Sequence, residues 1–141
     1  MSKFILPGAL PCDQDGIPLA ATAPPLSSEI INGSSSTDGA TLVTIAANMV
    51  VLVSITMAGS QATASTHGTP TVTTVGATVV PAAGSVIAAL NMQTNNGISA
   101  VSQTAVTNDI YVYAGTSSAT LKLNLNSATA CTAVINGAVI T

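Results

Sequence analysis

From residue 40 to residue 141, turn-forming residues cut the chain every few positions, and the segments between them are short and rich in β-branched side chains. Spacing of this kind suits the short strands of a sandwich or barrel; residues 82–90 could be helical on Ala content, but Gly84 and the β-branched Val86-Ile87 argue against it. Alternation is cleanest over 120–126, where Leu121, Leu123 and Leu125 fall on one side and Thr120, Lys122, Asn124 and Asn126 on the other. Residues 50–58 place Val51, Val53, Ile55 and Met57 inward and Ser54 and Thr56 outward, and Val86, Ala88, Leu90 and Met92 give a further alternating face. Segments 41–46, 71–75, 77–80, 98–106, 110–114 and 130–141 read as the other strands. Turns are expected at Ala47-Asn48, over a polar loop at 59–68, at Pro81 to Gly84, at Asn95-Asn96-Gly97, at Asn108-Asp109 and over 115–118. Asn136-Gly137 reads as a last hairpin or a bulge. The expectation is an all-β fold, an antiparallel jelly-roll-like sandwich of about eight strands.

The first 28 residues are different in kind. They hold Pro7, Pro11, Pro18, Pro24 and Pro25, five of the seven prolines, and proline removes backbone donors and biases its neighbours toward extended conformations. Residues 32–39, Asn-Gly-Ser-Ser-Ser-Thr-Asp-Gly, read as a turn and flexible junction. Two parts are expected: an extended Pro-rich N-terminal arm and linker over 1–39, and a β-sandwich domain over 40–141. The opening Met-Ser-Lys-Phe-Ile-Leu-Pro has only Phe4, Ile5 and Leu6 before Pro7, too short for the apolar core of a secretory signal. Synthesis in the cytoplasm without a signal peptide is the expectation.

Charge narrows the function. The chain has two Lys, no Arg and five Asp or Glu, and Lys3, Asp13, Asp15, Glu29 and Asp38 all lie in its first 38 residues. Surfaces of free proteins are usually about a quarter to a third charged; this body must be solvated by hydroxyls and amides or buried against partners. With so few cations, nucleic-acid binding is excluded. A mean hydropathy of +0.60 suggests a membrane protein. The longest apolar run, 45–57, is nevertheless interrupted by Asn48, Ser54 and Thr56 and is shorter than the ~20 residues of a spanning helix.

Candidate chemistry is sparse. His67 and Asp109 could join a serine in a triad, but no Gly-x-Ser-x-Gly elbow is present, and His67 sits in a loop-like Ser-Thr-His-Gly-Thr-Pro stretch. Asp13-Gln14-Asp15-Gly16 resembles half a calcium loop without its remaining ligands, and an ordinary turn explains it. No enzyme activity, cofactor or metal is expected. Asn32-Gly33-Ser34 matches a glycosylation acceptor, which matters only on export. Cys12 and Cys131 are either bonded, tying the arm to the last strand, or two free thiols with Cys131 buried. Tyr111 and Tyr113, two apart on one strand, share a face. They suit either stacking on a sugar or, in a chain with no Trp and one Phe, a subunit contact.

Residues 40–48, Ala-Thr-Leu-Val-Thr-Ile-Ala-Ala-Asn, followed by Leu52-Val53-Ser54-Ile55-Thr56-Met57, resemble the small β proteins on the heads of tailed bacteriophages. So do Thr69-Pro70-Thr71-Val72-Thr73, Thr120-Leu121-Lys122-Leu123-Asn124 and Ala133-Val134-Ile135-Asn136-Gly137. These are the capsid decoration, or cement, proteins. The resemblance implies a structural virion protein on the outer capsid surface, with the major capsid protein as its partner and its own copies joined in a homotrimer. It implies an arm clamping neighbouring capsomers through Phe4, Ile5, Leu6, Ile17 and Leu19. The near absence of charge departs from some members and leaves that contact to apolar burial, hydrogen bonds and strand pairing. The alternatives are a phage fibre or host-surface glycan-binding module using Tyr111, Tyr113 and Asn-rich loops, and a self-assembling surface-layer protein.

Overall fold

A computed structural model describes residues 29–61, 68–92 and 101–140. Eight strands follow in chain order: β1 Ile30–Ser35, β2 Thr41–Ile45, β3 Val50–Gln61, β4 Thr71–Val75, β5 Val86–Ala89, β6 Val101–Tyr113, β7 Ala119–Asn124 and β8 Ala130–Val139. They form two antiparallel four-stranded sheets, ordered β1-β8-β3-β6 and β2-β7-β4-β5. Described residues contain no helix. Each strand pairs with its mirror image about the β4–β5 hairpin: β1 with β8, β2 with β7 and β3 with β6. A long hairpin wrapped over on itself gives this jelly-roll-like sandwich, and all-β composition with frequent turns is what permits it.

Period-two patterning decides the core. Val51, Val53, Ile55 and Met57 of β3 face Ile45 of β2, Val72 of β4 and Leu121 and Leu123 of β7 across the sandwich, with Val112, Ala133 and Ile135 beside them, all buried. A register shift between Thr41 and Val43 breaks the alternation of β2, so Leu42 and Val43 are both buried. A second shift, between Val72 and Thr73, turns Val86 outward while Ile87 and Ala88 go in; the expected inward place of Val86 is corrected. Buried polar groups are paired: Thr74 donates from Oγ1 to the Ala82 carbonyl at 2.7 Å, and Gln61 Oε1 accepts from the Thr129 amide at 3.2 Å.

Other boundaries also differ from the sequence reading. Residues 30–35 are not a junction but edge strand β1, hydrogen-bonded along its length to β8. The turn that follows is pinned rather than loose. Asp38 Oδ1 accepts the Leu125 amide at 2.7 Å, and the Gly39 amide donates to the Leu123 carbonyl at 2.8 Å, with Gly39 at φ +72°. Gly59, Ser60 and Gln61 continue β3 instead of opening a loop. Segment 77–80 contributes only a bridge between Val80 and Tyr113. Asn108-Asp109 is no turn; β6 runs through it, and the pairing with β3 slips there between Val53 and Ile55. Asn136-Gly137 is neither hairpin nor bulge, because β8 is flanked by β1 and β3 and both ladders hold it in unbroken register. The expected hairpin at Asn95-Asn96-Gly97 lies outside the described residues.

Candidate functional site

Each sheet turns one face inward, and the two outward faces differ chemically. On the β2-β7-β4-β5 sheet the outward positions include Thr41, Thr44, Thr71, Thr73 and Thr120, with Lys122 and Asn124 among them. Their polar groups engage one another: Asn124 Nδ2 donates to Thr73 Oγ1 at 3.0 Å and Asn126 Nδ2 to Thr71 Oγ1 at 3.1 Å. Val75 and Val86 are exposed on the same sheet, but most of its outward positions carry hydroxyl or amide groups.

The other face is apolar at one end. Register places Ile30, Ala138, Leu52 and Tyr111 side by side across all four strands of the β1-β8-β3-β6 sheet. One row further, Ile140 lies beside Val50, its amide donating to the Val50 carbonyl at 2.8 Å, and Val50 pairs with Tyr113. Ile30 is 69% exposed, Tyr111 63% and Tyr113 39%; Leu52 and Val50 are half-buried beneath them. Cross-strand pairs of an aromatic with an aliphatic stabilise such a sheet by roughly 0.2–1 kcal/mol each, but most of Tyr111 and a good part of Tyr113 stay in water. Farther along, one row is polar, with Asn32, Asn136 and Ser54, and the next sets Ser34 and Thr56 beside exposed Val134 and Val106. Small side chains there open two shallow depressions. One of about 310 Å³ is lined by Asn32, Ser34 and Asn136, and one of about 330 Å³ by Ser60, Ser102, Thr104 and Thr132.

One charged residue, Asp109, occurs in the four strands of this sheet, at the slip in β6. An outward sheet face with this little charge and exposed aromatic rings has the chemistry of a contact surface, where tyrosine combines apolar area with a polar tip. The structure therefore puts Tyr111 and Tyr113 together on one exposed face, as their spacing required. It adds Ile30, Val50, Leu52, Ala138 and Ile140, which sequence reasoning missed. Val50 and Leu52 were legible from the alternation of β3. Ile30, Ala138 and Ile140 were not, because their place depends on pairing between strands far apart in the chain.

The remaining candidates are accounted for separately. Phe4, Ile5, Leu6, Ile17 and Leu19, together with Cys12, Asp13, Asp15 and His67, lie outside the described residues. Cys131 is a free, buried thiol in β8, and burial pushes its pKa up, which favours the unreactive protonated form. Asn32 sits exposed on β1. Among the described residues no three His, Cys, Asp or Glu side chains are grouped to hold a metal ion, and no helix is long and apolar enough to cross a membrane. Family models, curated proteins and solved structures were each compared with this chain, and none matches.

Proposed function

We propose that this chain is a capsid decoration protein of a tailed phage, a structural virion protein that binds the outer surface of the head as a homotrimer. The observation that carries the reading is the outward β1-β8-β3-β6 face, with one charged residue in four strands and exposed Tyr111, Tyr113 and Ile30 at the end where residues 1–28 join the sheet. Subunits associate through this charge-poor surface. The arm reaches the major capsid protein, with Phe4, Ile5, Leu6, Ile17 and Leu19 filling apolar grooves and free backbone groups adding to strand edges. Three arms on one knob act together, so a modest affinity per arm becomes a lasting clamp on neighbouring capsomers.

The test is co-sedimentation with undecorated heads, using the full chain and a form lacking residues 2–28, at low and high salt. Both sheets and the core lie within residues 29–140, so the shortened form is expected to keep its β body. Its binding should fall steeply, while binding of the full chain should change little with salt because few charges are present to be screened. Equal binding by both forms would refute the clamp. A collapse in salt would refute a charge-free contact.

A second reading, a phage fibre or host-surface glycan-binding module, is favoured by one observation: the amide-lined depression at Asn32 and Asn136 is one row away from Tyr111. Titration with oligosaccharides separates the two, since only this reading expects Tyr111→Ala to abolish binding to a sugar.

A further inference from the structure

Glu29, the residue before β1, accepts the Val139 amide on its carbonyl at 2.9 Å, which fixes where the preceding chain departs. It leaves at the corner of the apolar patch, in line with the row of Ile140, Val50 and Tyr113. The tyrosines stand on β6, at the opposite edge of the same sheet. Three inter-strand spacings separate β1 from β6, about 14 Å. Four to five residues of extended chain, at about 3.1–3.4 Å each, would cover about 12–17 Å. Counting back from Glu29, that span ends at Pro25 and Pro24.

The chemistry of the two partners fits. Residues 17–28, Ile-Pro-Leu-Ala-Ala-Thr-Ala-Pro-Pro-Leu-Ser-Ser, carry no charge, and neither do the two rows they would cross. Proline rings stack on exposed aromatic faces, and a proline pair is already restricted in the unbound chain, so little entropy opposes docking. The tether raises the local concentration of the segment at the face into the millimolar range.

We infer that Tyr111 and Tyr113 form a docking platform for the chain's own Pro24-Pro25-Leu26 segment, which crosses the outward face from β1 to β6. The inference goes beyond the decoration reading and does not need it. If both hold, a neighbouring copy meets the segment laid on the sheet rather than the bare rows.

The chain supplies its own probe, because Tyr111 and Tyr113 are its two tyrosines and it has no tryptophan. Quenching of tyrosine fluorescence by acrylamide is measured for the full chain and for a Pro24→Ser, Pro25→Ser, Leu26→Ser variant, over a wide range of protein concentration. Circular dichroism checks that both retain the β body. The expected result is a quenching constant at least about two-fold higher in the variant, independent of concentration. Equal quenching of both proteins would overturn the inference. So would protection that grows with concentration in both, which would assign the face to a second copy and leave the decoration reading intact. Loss of head binding by the variant without any change in quenching would likewise overturn it.

Discussion

Replacing Gly33 by alanine should destabilise the protein, although the same exchange in an open strand usually does the reverse. Removing glycine's freedom from the unfolded chain ordinarily stabilises by about 0.4–1 kcal/mol where the native backbone accepts a side chain. Gly33 lies on the inward side of β1, and a Cβ there would overlap the Leu42 carbonyl oxygen, sit 2.7 Å from its carbon and 2.9 Å from Val43 Cγ1. The obstacle is backbone, and it cannot swing away, because the register shift that brings the Leu42 carbonyl there also buries the Leu42 and Val43 side chains. β1 must yield instead. Overpacking costs about 1–3 kcal/mol, and drawing β1 outward exposes half-buried Ile31 for about 1 kcal/mol more. A loss of about 2–4 kcal/mol follows, out of the roughly 5–15 kcal/mol by which domains are stable, lowering Tm by roughly 8–16 °C. Urea and thermal unfolding followed by circular dichroism measure it. Gly39→Ala is the control: its Cβ meets nothing within 4 Å, and only the positive φ opposes it, at about 1 kcal/mol. If Gly33→Ala matched the parent protein within about 0.5 kcal/mol, the close approach of β1 to β2 would be wrong, and with it the anchoring of the arm.

Other expectations follow from the core and the titratable groups. Leu121→Ala, at a fully buried site in β7, should cost about 2–5 kcal/mol in chemical denaturation; a cost below 1 kcal/mol would remove Leu121 from the core. The core accommodates the neutral Cys131 thiol, so the folded chain keeps that proton to higher pH than the unfolded one. Its contribution is whole below the ordinary thiol range and is lost as pH rises through the raised folded value; urea midpoints should fall in alkali, and less so for Cys131→Val. Changing His67, Asp13, Asp15 or Asp109 singly to alanine should leave the main function in place, and head binding by each variant checks this. Loss of a measurable hydrolytic activity with His67→Ala would show that the chain is an enzyme.

What the sequence disclosed was whatever depends on neighbours along the chain. The alternation in β3 and β7 is a local property of the pleat, so Val51, Val53, Ile55, Met57, Leu121 and Leu123 could be placed inward before any pairing was known. Asn48 and Gly84 mark turns for an equally local reason, their positive φ. Errors fell where tertiary pairing overrides a local signal. Asn136-Gly137 is a strong hairpin dipeptide, but strands on both sides hold it straight. Asn32-Gly33 looked like loop because Gly33 was read as flexibility, whereas it is a close-packing site against Leu42. The tyrosine face was half legible: spacing puts Tyr111 and Tyr113 together, but only the ladder through β3 and β8 brings Ile30 alongside them.

The mirror-image pairing of the strands has a consequence for the order of events in synthesis. β1 is made before every other described strand, yet its ladder partner is β8, the last of them, which also separates β1 from β3. Until then β1 has no place in its sheet, and closing so long a loop is slow compared with local pairing. A nascent or prematurely ended chain can build the β4–β5 hairpin and the β7–β4 pairing next to it, but it cannot fix the point from which residues 1–28 depart.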